Sequence, residues 1–128
     1  MRVAVLSTDS VLRERIVRCI DRLCRQTGSI IDVQLFKKPE RLIRQLTIIE
    51  YGYALVMLCP DDSKIMISCI KLLIERGFDC KLLCIGGTEE QHDELKALGI
   101  CDYVYEKDVE RKLLPMLGRI VSEKAERL

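Results

Sequence analysis

A single histidine, no Cys-x-x-Cys pair and a net charge of only +1 are the scarcities that first narrow this 128-residue sequence. One imidazole and scattered thiols leave little from which to build a zinc site, so no metal is expected. Without a basic excess, direct binding of nucleic acid by this segment is disfavoured. The longest uninterrupted apolar stretch runs from Ala54 to Cys59, far short of the roughly 20 residues that a membrane helix needs. Met1 to Ser7 is too short an apolar segment for a signal peptide. No Pro/Gly/Ser-rich linker, low-complexity tract or internal repeat divides the chain, so residues 1–128 are expected to form one domain. Seven cysteines, an odd number at positions 19, 24, 59, 69, 80, 84 and 101, fit a reducing compartment in which Cys acts as a small buried hydrophobe. The expected location is the cytoplasm.

What the sequence does have is enough apolar material for a core: 48% hydrophobic residues and a mean hydropathy of +0.08. Short continuous apolar runs alternate with longer helical patterns. Strands are predicted at Arg2–Ser7, Ile31–Phe36, Tyr53–Cys59, Lys81–Ile85 and Asp102–Tyr105, and helices at Ser10–Gln26, Pro39–Glu50, Ser63–Arg76, Glu89–Leu98 and Asp108–Ala125. Leu12, Ile16, Cys19, Ile20 and Leu23 recur at helical spacing, whereas Val3–Leu6 and Leu55–Leu58 read as strands covered on both faces. The fold class that follows is α/β: a doubly wound, five-stranded parallel sheet in the order 2-1-3-4-5 with helices on both faces. Gly28, Gly77 and Gly99 sit where left-handed helix caps belong. Thr88-Glu89-Glu90-Gln91 spells a capping box. Pro115 interrupts the last helical pattern and predicts a kink, or a separate first turn at Asp108–Lys112.

In such a sheet, ligands gather at the carboxyl ends of the strands, which here carry Ser7-Thr8-Asp9, Cys59-Pro60-Asp61-Asp62, Gly86-Gly87-Thr88 and Glu106-Lys107-Asp108. This spacing, Arg2-Val3-Ala4-Val5-Leu6 before Asp9, and the stretch Leu98-Gly99-Ile100-Cys101-Asp102-Tyr103-Val104 resemble the receiver domain of two-component response regulators, of the CheY-like, flavodoxin-like type. The resemblance covers Arg2 to about Val121. In that family the strand ends carry an acidic pair, a phosphate-accepting Asp, a Ser or Thr, and a Lys-Pro. Here the matching positions hold Ser7 and Thr8, Cys59, Gly86 and Glu106, with Asp9 the surviving acid. The segment from Asp102 to Asp108 is also similar to receivers attached to LytTR DNA-binding domains.

Phosphoryl transfer to a side chain needs an oxygen nucleophile, carboxylates to hold Mg²⁺ and a cation over the transferred group. All three are substituted, so the resemblance implies a degenerate pseudo-receiver without cofactor. Making Asp61 the acceptor would carry the third strand through Pro60, which cannot donate to a central ladder. Cys59 itself reads either as a thiol nucleophile or as a structural thiol. The second is favoured, because Asp61 and Asp62 oppose the thiolate and an ordinary Cys is only roughly 3% ionised at neutral pH. Gly86-Gly87-Thr88 reads as a tight turn and N-cap in preference to a phosphate cradle, Asp61-Asp62-Ser63 as a turn and cap, His92 as a solvated helix residue and Tyr103 as a packed aromatic.

Charge is uneven: residues 1–50 carry ten Lys/Arg against six Asp/Glu, the remainder eleven against fourteen. Arg15, Arg18, Arg22 and Arg25 form a stripe on the first helix that would suit an anionic partner, although Glu14 and Asp21 lie four residues before Arg18 and Arg25. The resemblance implies a second contact surface on the fourth helix, fifth strand and fifth helix, with Tyr103, Tyr105, Lys107, Arg111 and Lys112, and Met116 and Leu128 as further apolar surface. The expected function is that of a non-phosphorylatable regulatory module in bacterial signalling or transcription control, acting through a protein partner or as a homodimer. Two alternatives stay open: a small-molecule sensor with its ligand over Ser7, Cys59 and Gly86, and a Cys59-dependent enzyme.

Overall fold

Strand β1 (Arg2–Leu6) sends Val3 and Val5 to one face of the sheet and Ala4 and Leu6 to the other, and all four are fully buried. A strand wetted on neither face needs helices on both. They follow in strict alternation in the computed structural model, which describes residues 1–48, 52–61, 64–76, 81–100 and 102–126. After β1 come α1 (Ser10–Thr27), β2 (Asp32–Phe36), α2 (Pro39–Ile48), β3 (Leu55–Leu58), α3 (Lys64–Arg76), β4 (Lys81–Ile85), α4 (Glu89–Ala97), β5 (Tyr103–Val104) and α5 (Val109–Glu126). The five strands are parallel and ordered β2-β1-β3-β4-β5, as the sequence pattern predicts.

The sheet divides the core in two. On one side Val3, Val5, Leu55, Met57, Leu83 and Ile85 meet Leu12, Ile16, Ile20 and Leu23 of α1 and Val109, Leu113 and Leu117 of α5. On the other, Ala4, Leu6, Val56, Leu58 and Cys84 meet Leu42 and Leu46 of α2, Ile70 and Leu73 of α3, and Leu95 of α4.

Two caps fall where the sequence places them. Gly28 ends α1 at φ +72° with its N–H on the Cys24 carbonyl, and Thr88 and Gln91 form a reciprocal capping box on α4. The strands are shorter than their apolar runs: β3 loses Tyr53, Ala54 and Cys59, and β5 keeps two residues. The end of the chain differs from expectation. A 3₁₀ turn occupies Glu106–Asp108, and α5 then runs continuously through Pro115 without a separate turn at Asp108–Lys112. Met116 packs against the core rather than adding exposed surface. The Gly77 cap, the Asp62-Ser63 turn, Cys80, Cys101 and Leu128 lie outside the described residues.

Candidate functional site

The carboxyl ends of the strands converge as the topology requires, but the groups brought there bind one another. Ser7 is buried; its Oγ accepts from the Asp9 N–H at 3.1 Å and lies 3.3 Å from the Asp9 carbonyl. The Asp9 carboxylate accepts from the N–H groups of Val11 and Leu12 at 2.9 and 3.2 Å, so it is the N-cap of α1. Thr8 donates its hydroxyl to Asp61 at 3.1 Å, tying the first strand-end loop to the third. Arg13 reaches back to the Ser7 carbonyl at 3.3 Å.

Cys59 follows β3, with its N–H on the Leu6 carbonyl at 2.9 Å and 3% of its surface exposed. Burial pushes the thiol up to about 12, against a smaller opposing effect of the Ser7 hydroxyl; Cys84, Asp9 and Glu106 add to the rise. Cys84 of β4 is likewise pushed up to about 12, by burial alone. A nucleophile needs the opposite shift.

Gly86 and Gly87 turn the chain after β4 at φ +79° and +88°. The turn is closed from below: a Cβ on Gly87 would stand 2.9 Å from Pro60 Cγ and 3.0 Å from Gln91 Oε1. Gln91 in turn donates to the Asp61 carbonyl at 2.7 Å. His92 is buried, contrary to the expected solvated position. Its Nε2–H donates to the Gly86 carbonyl, and its ring lies 5.0 Å from those of both Tyr103 and Tyr105. The physical reason is that Leu95 leaves the buried face of α4 short of apolar residues, and His92, one turn before it, fills that stripe.

Glu106 is turned toward Arg15 of α1. Its carbonyl accepts from Arg15 Nη2 at 2.7 Å and its carboxylate lies 3.8 Å from the same guanidinium. Because Glu106 and Lys107 sit in a 3₁₀ turn, the alternation of a strand does not govern them. Lys107 lies 6.0 Å above the Tyr105 ring.

Arg15 therefore leaves the predicted stripe. Its guanidinium grips Glu110 of α5 through two bonds of 2.6 and 2.7 Å. That contact holds the Glu110 carboxyl at about 2, well below the usual carboxylate range. Arg18, Arg22 and Arg25 remain exposed, Arg18 at 3.5 Å from Glu14. A groove of about 150 Å³ between α1 and α5 is lined by Arg15, Arg18, Cys19, Arg22, Glu110 and Leu114. On the surface of β5 and α5, Tyr105 is 41% exposed, whereas Tyr103 is partly buried and its hydroxyl donates to the Ile100 carbonyl. Arg111 and Lys112 both turn to Asp108, at 2.9 and 3.8 Å.

Among the described residues, to which Asp62 does not belong, the donor set does not fit Mg²⁺, and Asp61 is held by Thr8. Ser7 and Thr8 are neutral and Asp9 is engaged as a cap, and among the described residues no group of three or more His, Cys, Asp or Glu could hold a metal ion. Arg13 joins the cluster without any motif that points to it, whereas Gln91 enters it through the capping box and His92 through its three-residue spacing from Leu95.

Solved structures similar to this one include a CheY-like response-regulator receiver domain protein from Methanospirillum hungatei JF-1, 11% identical, covering 99% of this chain and 98% of that one with a TM-score of 0.70. The RcsB response regulator of Salmonella typhimurium is 14% identical over 92% of this chain, which spans 60% of that protein, with a TM-score of 0.72. A protein assigned to pilus assembly (cpaE) from Burkholderia thailandensis E264 is 13% identical, covering 95% of this chain and 98% of that one at 0.72. At these identities the likeness shows the fold, that of response-regulator receivers. No family model and no curated protein matches the sequence.

Proposed function

We propose that this chain is a regulatory module on the receiver scaffold that accepts no phosphate and acts by protein contact in the cytoplasm, in signalling or transcription control. The observation that carries the reading is the mutual engagement at the strand ends. Cys59 stands in the acceptor position with a thiol near 12, Asp9 caps α1, and Glu106 is turned to Arg15. Among the described residues the Asp9 carboxylate is held by the first amides of α1 and the Asp61 carboxylate by the Thr8 hydroxyl, while the position of the orienting cation is filled by Glu106. The partner is met on the face of α4, β5 and α5, where Tyr105 and Lys107 are exposed. A homodimer through that face is less well supported, because Asp108 engages Arg111 and Lys112 and Arg15 engages Glu106. The sensor reading is weakened by burial of Ser7, Cys59 and Gly86. Intact-mass analysis after incubation with an acyl phosphate and Mg²⁺ tests the proposal. The mass is expected to stay unchanged, and a stoichiometric phosphate on Asp9 or Asp61 would refute it.

A further inference from the structure

The two edges of the sheet are unequal. β5 is two residues long, a length that itself protects an edge. β2, on the other edge, is five residues of Asp-Val-Gln-Leu-Phe, with neither proline nor an internal charge to discourage pairing. The Asp32 N–H donates to the Met1 carbonyl and the Phe36 carbonyl accepts from the Ser7 N–H, so residues 32 and 36 face β1. In a parallel ladder the N–H and C=O groups of alternate residues point to opposite sides. Val33 and Leu35 therefore turn theirs outward, where no strand lies among the described residues.

Their side chains share the α1 face, since Val33 and Leu35 are in register with Val3 and Val5. Leu35 is 51% exposed and borders a groove of about 450 Å³ formed with Ser10, Arg13, Glu14, Val17 and Lys37. An open backbone edge beside an apolar groove is what an added strand requires: main-chain bonds along one side and a pocket for alternate side chains.

We propose that this edge pairs with the same edge of a second copy, β2 against β2 antiparallel across a two-fold axis. Charge selects this occupant and direction. The strand opens on Asp32, whose carboxylate lies 3.5 Å from Arg2 yet is 61% exposed, and is followed by Lys37 and Lys38; antiparallel pairing sets the open carboxylate of each copy beside the lysines of the other, twice, whereas parallel pairing would set like beside like. Full overlap places Gln34 on the axis and Val33 opposite the partner Leu35. Each such pair exchanges both of its backbone bonds and covers the exposed leucine. The result is a continuous sheet with the faces of α4 and α5 left open at both ends, so the pairing is independent of the function proposed above.

Sedimentation of the full chain from micromolar to millimolar concentration tests this. The wild type is expected to move from the 14.8 kDa of one chain toward twice that mass. Leu35→Pro removes an outward N–H without touching the β1 ladder, and should stay monomeric. Leu35→Lys keeps the N–H but charges the groove, and should weaken pairing at least tenfold even if the proline variant misfolds. Asp32→Lys should weaken it too, and adding Lys37→Asp with Lys38→Asp should restore it. Amide exchange at Val33 and Leu35 should slow as concentration rises. A wild type that remains monomeric, whether or not it captures an extended foreign peptide on this edge, overturns the proposal. So does a dimer indifferent to both Leu35 variants or lost in Tyr105→Glu.

Discussion

Cys59 is where a receiver-like scaffold is most easily mistaken for a thiol enzyme, and its surroundings decide the matter chemically. With the thiol near 12, the ionised fraction at pH 7 is on the order of 10⁻⁵, and 3% exposure hides the sulfur from reagent. Iodoacetamide at neutral pH is expected to leave Cys59 unlabelled in the folded protein and to label it in urea, as read by peptide mass mapping. Stoichiometric labelling of the native protein would revive the enzyme alternative. Position was legible at this scale: alternation and run length alone bring Ser7, Cys59 and Gly86 to the same end of the sheet. Engagement was not. Hydrogen bonds such as Thr8 to Asp61 and Gln91 to the Asp61 carbonyl join loops far apart in sequence, and no local pattern encodes them. The burial of His92 is not announced by the residue itself, which has no metal-binding partner nearby in sequence; it follows from the shortage of apolar residues beside Leu95 on α4.

Between elements, two charged hydrogen bonds from Arg15 to Glu110 join α1 to α5. The folded Glu110 carboxyl is depressed to about 2 from an ordinary 4.5, chiefly by its hydrogen bonds to Arg15. A depressed carboxylate contributes stability above its unfolded value and loses it as pH falls through the folded one. The pair should therefore stabilise fully at neutral pH and fade between about 4.5 and 2. Urea titrations of the wild type and Glu110→Gln should show midpoints that differ at pH 7, converge as pH approaches 2, and differ less in high salt. A constant gap across that range would show that the side chains act by packing alone. The elements themselves were legible from periodicity. Pro115 was not, because the rule that proline breaks a helix assumes a costly loss of the bond to residue 111. Here Pro115 is exposed, where water can serve the Arg111 carbonyl, and the helix continues.

Across the whole molecule, the sequence carries the architecture more reliably than the site because the architecture is written redundantly. Val3 to Leu6 and Leu55 to Leu58 each announce a strand covered on both sides, and five short strands separated by helices admit few right-handed arrangements. Which helix shares a layer with which is written nowhere locally. It follows from the order of the strands, which sets α1 beside α5 and leaves α2, α3 and α4 on the other face.

That placement of the first helix beside the last has a consequence for the molecule's birth. During synthesis α1 emerges with Leu12, Ile16, Cys19, Ile20 and Leu23 ready to be buried, but Val109, Leu113 and Leu117, which cover them, are made after every other strand and helix of this sheet. The opposite layer has its helices earlier and can consolidate while the nascent chain still lacks its seal. For most of elongation this is a half-closed protein with one sticky side, in the state most exposed to aggregation and chaperone capture. A chain stopped after Tyr105 is accordingly expected to retain helix by circular dichroism, bind a hydrophobic dye strongly and precipitate at concentrations where the full chain stays in solution. Cooperative unfolding of that fragment without dye binding would mean that α1 finds its cover elsewhere.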